Sequence, residues 1–293
     1  MLSHKNGKSF AVIKKNNKIK EVKIHDDSNK NKKKYVFDES KLDHLDQFQL
    51  DNLKYALIKK DISLLADSEL KKYYNKIMNN GDLGKHISGC DAVRILPTED
   101  KNQRDSIMIC GPSGAGKSVF VSQFMDEYIH KYPERNIVLF SMKPEDKALD
   151  RYKPMRIPLD EDLVDDPVKL NELENSLVIF DDIDQITNKD VQNAVWNLRD
   201  RILEVGRSKG ISICTVSHQV SNYRATRVCL NESDYVVIFP KSGGRYQINY
   251  FLKTYCGFDK DQINLIMSLP TRWVIVKKTY PMCVMYQNGI YIP

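Results

Sequence analysis

Short, nearly uninterrupted apolar runs recur through the second two thirds of the chain, and amphipathic stretches separate them. The runs are "SIMIC" (106–110), "NIVLFS" (136–141), "SLVIF" (176–180), "ISICTVS" (211–217) and "DYVVIF" (234–239). Each is strand-sized and apolar on both alternations, the pattern of a strand covered on both faces. Between them, Val121, Phe124, Met125, Tyr128 and Ile129 fall on one helical face, and Val191, Val195, Leu198, Ile202 and Val205 on another. Strands alternating with helices predict a parallel sheet sandwiched by helices. The last segments differ: "RWVIVKK" and "CVMYQNGIYI" flank an Asn288-Gly289 turn, which predicts a C-terminal antiparallel β-hairpin.

The first third is less regular. Leu70, Tyr73, Tyr74, Ile77 and Met78 predict a helix, with Asp67 as its N-cap and Gly81 as its stop. "SFAVIKKNNKIKEVKI" predicts a small hairpin about Asn16-Asn17. The expected organisation is a basic Lys/Asn-rich appendage over 1–45 and one large domain over 46–293 that opens with a helical lead-in.

Composition adds little until charge is placed along the chain. The net charge is +6 and the sequence pI about 8.8, which permits a polyanionic partner. The excess lies in "KKNNKIKEVKIHDDSNKNKKKY", expected to be a solvated, partly disordered tail rather than an arm on nucleic acid, because no aromatic residue interleaves its lysines before Tyr35. The apolar runs are too short to span a bilayer, and the start carries no run of signal-peptide length, so a soluble intracellular protein without stable membrane insertion is expected. Cys90, Cys110, Cys214, Cys229, Cys256 and Cys283 form no C-x-x-C pair, which favours buried free thiols over a metal site.

The chemistry lies in "GPSGAGKS". Gly111, Pro112, Ser113, Gly114, Ala115, Gly116, Lys117 and Ser118 match G-x-x-x-x-G-K-[ST] (Walker A) between a predicted strand and a predicted helix. The glycines let backbone N–H groups converge on phosphate oxygens, and the helix adds its positive end. Lys117 would reach the β- and γ-phosphates of ATP, and the Ser118 hydroxyl would ligate Mg2+. A second (Walker B) element, "SLVIFDDID", ends its strand at Asp181, placed to hold the Mg2+ shell. Asp182 is expected to orient and deprotonate the attacking water, and Asp184 to serve a turn or cap.

The strand "NIVLFS" intervenes between loop and carboxylate, and "ISICTVSHQ" follows. That order suits the additional-strand (ASCE) class, in which the fourth strand lies between the other two and aims its polar end at the γ-phosphate. Gln219 is the preferred sensor, since an amide can donate to phosphate and accept from water. His218 is expected to be a hydrogen-bonded loop residue.

"GPSGAGKS", "SLVIFDDID", "GRSKGISICTVSHQ" and "SDYVVIFPK", in that order, resemble the FtsK–HerA superfamily, and within it the poxvirus-type genome-packaging ATPases of large DNA viruses. The resemblance covers about 100–293. It implies an ATP-hydrolysing, Mg2+-dependent homo-oligomeric ring that drives double-stranded DNA into a capsid, with capsid or portal-type partners, in host cytoplasm or virion. By position it implies a neighbour-facing arginine at Arg207, with Arg199, Arg201, Arg224 and Arg227 as competitors. Asp182 departs from the glutamate many relatives carry. The alternatives are a P-loop switch that is not a motor and a kinase acting on a small substrate. "RYKPMR" (151–156) could imitate a kinase lid, but the acidic "LDEDLVDD" after it would repel a phosphorylated substrate.

Overall fold

The structure is a computed structural model that describes residues 2–3, 8–15, 18–24, 46, 48–49, 52–53, 55–56, 61–72, 74, 86–87, 90–98, 103–280 and 282–292. Asn16, Asn17, Tyr73, Ile77, Met78, Gly81 and the lysines of 30–34 lie outside them. Met1–Asp26 and His86–Tyr291 form one compact unit, and Asp27–Lys85 with Ile292–Pro293 a second. The boundary expected at residue 45 falls inside the second unit.

In that second unit the Asp67 carboxylate accepts from the N–H groups of Glu69 (2.6 Å) and Leu70 (3.4 Å), the expected N-cap. Asp61 caps a 3₁₀ turn over Ile62–Leu64 through the Ser63 N–H.

The first unit holds two sheets. β1 (Leu2–Ser3), β2 (Lys8–Lys15) and β3 (Lys18–Ile24) pair antiparallel, with Lys15 opposite Lys18, so the expected hairpin forms. β4 (His86–Ile87) belongs to the other sheet, and β5 (Ala92–Ile95) pairs with β2. Of the stretch expected to be a solvated tail (14–35), residues 14–15 and 18–24 are therefore strand, and 16–17 and 25–35 lie outside the described residues. Phe10, Ala11, Ile13 and Val22 are buried, while Lys14, Lys15, Lys18 and Lys20 stay in solvent. The lysines obscured an apolar stripe in a sheet that β5 extends by pairing with β2.

The larger sheet contains β6 (Ser106–Cys110), β7 (Ile137–Ser141), β8 (Met155–Ile157), β9 (Leu177–Asp181), β10 (Ser212–Ser217), β11 (Tyr235–Ile238), β12 (Val274–Lys277), β13 (Cys283–Tyr286) and β14 (Gly289–Tyr291). Its order is β4-β14-β13-β12-β11-β6-β10-β9-β7-β8. The six strands from β11 to β8 are mutually parallel, and the other four join antiparallel. The expected C-terminal hairpin is present as β13–β14, and it extends into a meander that includes β12 and ends at β4.

Every residue of β6, β7, β9, β10 and β11 is buried, which requires cover on both faces. The helices are α1 (Lys117–Lys131), α2 (Lys147–Asp150), α3 (Asp162–Asp165), α4 (Lys189–Val205), α5 (Tyr223–Glu232), α6 (Arg245–Thr254) and α7 (Lys260–Ser268). Met108, Cys110, Val138, Phe140, Val178 and Phe180 share one core with Val191, Val195 and Ile202 of α4 and with Ile248 and Phe251 of α6. Alternate strand residues such as Ile107, Ile109, Leu139 and Ile179 face the other side and are equally buried. All six cysteines are buried free thiols, as expected.

Candidate active site

The C-terminal ends of β6, β10, β9 and β7 meet at one edge of the sheet, where an open parallel sheet binds its ligand. β10 lies between β6 and β9, with Ser217 beside Cys110 and Val216 beside Asp181. This is the strand order expected of the additional-strand class.

The phosphate loop leaves β6 at Gly111, whose N–H donates to the Ser217 carbonyl at 3.1 Å. A Cβ at Gly111 would lie 2.7 Å from the Phe239 ring, so no larger residue fits. Gly116 caps α1 at φ 110°, a conformation that L side chains avoid. The Lys117 ammonium donates to the carbonyls of Gly111 (2.8 Å) and Pro112 (3.2 Å) and lies 3.4 Å from His218 Nδ1. Burial lowers its pKa, and Asp182 and Asp181 oppose that shift. Arg272, just before β12, donates through Nε to the Ala115 carbonyl (2.8 Å) and through Nη2 to the Gly114 carbonyl (3.0 Å). Two cations thus hold four loop carbonyls, which leaves loop amides for an anion.

Facing the loop are two buried carboxylates. Asp181 ends β9, and Asp182 follows in the left-handed region (φ 55°). A non-glycine residue there carries roughly 1–2 kcal/mol of strain. The turn directs the Asp182 carboxylate toward Lys143, whose ammonium lies 2.7 Å from Asp182 Oδ2 and 3.3 Å from Asp181 Oδ2. Ser141 Oγ donates to Asp181 Oδ2 at 3.3 Å. Burial, then the neighbouring Asp182, raises the Asp181 pKa, and Lys143 pulls it down. Burial acts to lower the Lys143 pKa, but Asp182 and Asp181 together raise it.

His218 joins the two halves. Its Nε2 lies 3.0 Å from Asp182 Oδ1 and 3.1 Å from Gln185 Nε2, while Nδ1 faces Lys117. A bare Nδ1 would accept from Lys117, whereas at Nε2 the Gln185 amide nitrogen is itself a donor and Asp182 Oδ1 makes no hydrogen bond among the described residues, so the approach to Asp182 is a 3.0 Å polar contact. The Gln219 side chain is exposed. Its backbone N–H donates to Ser217 Oγ at 3.3 Å, and that hydroxyl donates to the Gln219 carbonyl at 3.1 Å. The structure therefore brings together Lys117, Asp181, Asp182 and His218, and leaves Gln219 at the rim. Asp184 sits in a 3₁₀ turn over Ile183–Gln185, and its buried Oδ1 has no hydrogen-bond partner among the described residues.

Ser118, at the start of α1, and Asp181 supply the hydroxyl and carboxylate that Mg2+ takes as hard oxygen ligands. The ammonium already seated on the carboxylates marks a place where positive charge is favoured, and Asp182 Oδ1 is a buried acceptor with no hydrogen bond among the described residues. These residues fit Mg2+ with a nucleotide phosphate.

Arg207 is exposed in the turn Gly206–Lys209 that precedes β10. β10 has 6 residues, so Arg207 lies roughly 17 Å or more from the loop edge. Arg199 is 3% exposed, pairs with Asp200 and lies over the Trp196 ring, which takes it out of the neighbour-facing set. In the segment that could imitate a kinase lid, Arg151 is held by Asp126 (2.8 Å), and Arg156 by Asp150 (2.5 Å) and the Lys143 carbonyl. Sequence reasoning missed Lys143 and Arg272. Neither falls in a motif, and both reach the site from loops beyond strand ends.

Fold and site together define a P-loop NTPase of the additional-strand class. The chain belongs to the family of protein V3 of Sputnik virophage, to which it is 33% identical over 232 residues, covering 78% of this chain and 94% of that one. Its ordered motifs resemble those of the FtsK–HerA viral packaging ATPases. The RNA helicase family matches residues 107–204. Among solved structures, it is similar to the genome-packaging NTPase B204 of Sulfolobus turreted icosahedral virus 2 in complex with AMPPCP, with 12% identity, 65% of this chain and 98% of that chain covered, and a TM-score of 0.42. It is also similar to the pCW3 conjugation coupling protein TcpA, with 14% identity, 64% and 61% covered, and a TM-score of 0.47. Among the described residues, no helix is long and apolar enough to cross a membrane.

Proposed function

We propose that the protein is an ATP-hydrolysing motor that moves double-stranded DNA into a viral capsid as an oligomeric ring. The observation that carries the ATPase part is the chain of contacts from Lys117 through His218 to Asp182 across the end of β10. The virophage family and the ordered motifs support the packaging part.

In this reading loop amides between Ser113 and Gly116, together with Lys117, bind the triphosphate, and Ser118 and Asp181 hold Mg2+. When bound, Mg2+ neutralises charge on the phosphate oxygens. Asp182 accepts the proton of the attacking water. His218 links that base to Lys117, and so to the phosphates. Gln219, at the rim of the same strand end, keeps a sensor role only if nucleotide draws it inward. Arg207 faces away from its own loop and stabilises the γ-phosphate charge of a neighbouring subunit.

Asp182→Asn tests the base. It should bind an ATP analogue as the wild type does and hydrolyse ATP several hundred-fold more slowly, or worse, because an amide cannot take the proton. Turnover at the wild-type rate would refute the assignment. Double-stranded DNA should accelerate wild-type hydrolysis, whereas a switch or a kinase would not respond to it.

A further inference from the structure

We propose that the outer face of α6, with the turn that leads into it, is the surface that grips duplex DNA, and that it is coupled to the phosphate loop through Phe239. This rests on the motor reading and names where its partner binds.

β11 runs parallel to β6, with Ile238 beside Cys110, so the chain leaves β11 at the same sheet edge as the phosphate loop. The next residue, Phe239, is buried and packs directly against Gly111. Its carbonyl accepts from the N–H groups of Ser242 (3.1 Å) and Gly243 (2.8 Å), closing a tight turn. A Cβ at Gly243 would lie 2.9 Å from Ile248 Cδ1, so the turn also packs on α6. A shift of the loop when nucleotide binds would press on Phe239 and then on α6.

The inner face of α6 carries Ile248, Phe251 and Leu252, all buried. The outer face carries Tyr246, 83% exposed, Tyr250, 44% exposed, and Lys253, at i, i+4 and i+7. Arg245 and Lys241 adjoin it, and both line a shallow concavity with Asn264 and Ser268. No acidic residue occurs from Phe239 to Phe258, although the whole chain has 39 acidic residues to 45 basic. Among the described residues, neither Arg245 nor Lys253 has an ion-pair partner, whereas Arg151, Arg156, Arg199 and Lys209 are all paired. Unneutralised cations interleaved with exposed phenols suit a phosphate backbone, since cations attract phosphates and tyrosine hydroxyls donate to them. Tyr280, also exposed, follows β12 at the opposite sheet edge and is not part of this face.

The test is binding of a fluorescently labelled duplex, read by anisotropy over a range of salt. Arg245→Gln with Lys253→Gln should reduce the slope of log affinity against log salt by about 1.8, or about 0.9 per lost phosphate contact. The melting temperature and ATP-analogue affinity should stay unchanged. An unchanged slope in a folded variant, with wild type still binding DNA, overturns the assignment and leaves the motor reading standing. A wild type that neither binds nor responds to duplex DNA overturns both. Polyglutamate that competes as well as DNA would assign the face to an acidic partner and overturn the proposal. If the double variant does not fold, Tyr246→Cys carrying a photo-crosslinker takes its place, because the native cysteines are buried. A crosslink to duplex DNA supports the face, and its absence under conditions where the protein binds DNA overturns it.

Discussion

Lys143→Met removes a cation that touches both carboxylates, at 2.7 Å and 3.3 Å. At an effective dielectric near 20, those separations correspond to gross attractions of about 6 and 5 kcal/mol. Most of this is offset by the desolvation of Asp181 and Asp182, which are 1% and 4% exposed, and by screening of an ammonium left 43% exposed. A net loss of about 2 kcal/mol of stability remains for the nucleotide-free protein, because two buried carboxylates lose their counter-charge. At about 2 °C per kcal/mol for a chain of this size, the melting temperature should fall by about 4 °C. Methionine keeps the length of the stem, so packing changes least. The assay is thermal unfolding with chelator and again with Mg2+. Mg2+ should stabilise the variant more than the wild type, since Lys143 no longer occupies the carboxylates. A variant that melts as the wild type does in chelator, and gains no more from Mg2+, would show that Lys143 does not hold the pair.

His218→Ala should lower turnover about 10²-fold with analogue binding retained, because the link between Lys117 and Asp182 is lost, whereas Gln219→Ala should change turnover less than tenfold. Steady-state kinetics on the two variants would reverse the assignment if Gln219 proved the more sensitive. Arg207→Ala should bind ATP and be nearly inactive alone, a loss of about 10³-fold, yet recover activity when mixed with Lys117→Ala subunits that retain Arg207. No recovery in mixtures shown to co-assemble would remove the trans role. Buried Asp105, which accepts the Thr98 N–H, has its pKa raised from 3.8 to about 7, chiefly by burial. Its native proton favours the fold fully below pH 3.8, and that contribution is lost as pH rises through 7, by up to ~4 kcal/mol. Asp105→Asn should flatten the urea midpoint between pH 4 and 7, and an unchanged profile would assign that dependence elsewhere.

Much of the site was legible in the sequence because its parts are local. The phosphate loop needs glycines and a lysine within eight consecutive positions, from Gly111 to Ser118, and a strand and helix on either side of them. The apolar runs and their polar ends gave the strand order, since parallel strands buried on both faces leave chemistry only at their C-terminal ends. The hairpin of residues 8–24 followed from its turn residues and alternation. What only the tertiary structure decided depends on contacts between distant segments. Lys143 and Arg272 are ordinary loop cations until β7 is set beside β9 and β12 beside β11, which carries one onto the carboxylates and the other onto the loop carbonyls. His218 and Gln219 are adjacent polar residues with equally suitable chemistry. Both lie just past Ser217, where β10 ends in a bend, so no strand alternation assigns their directions, and only the folded chain, with β10 between β6 and β9, sets His218 against Lys117 and Asp182 and leaves Gln219 at the rim.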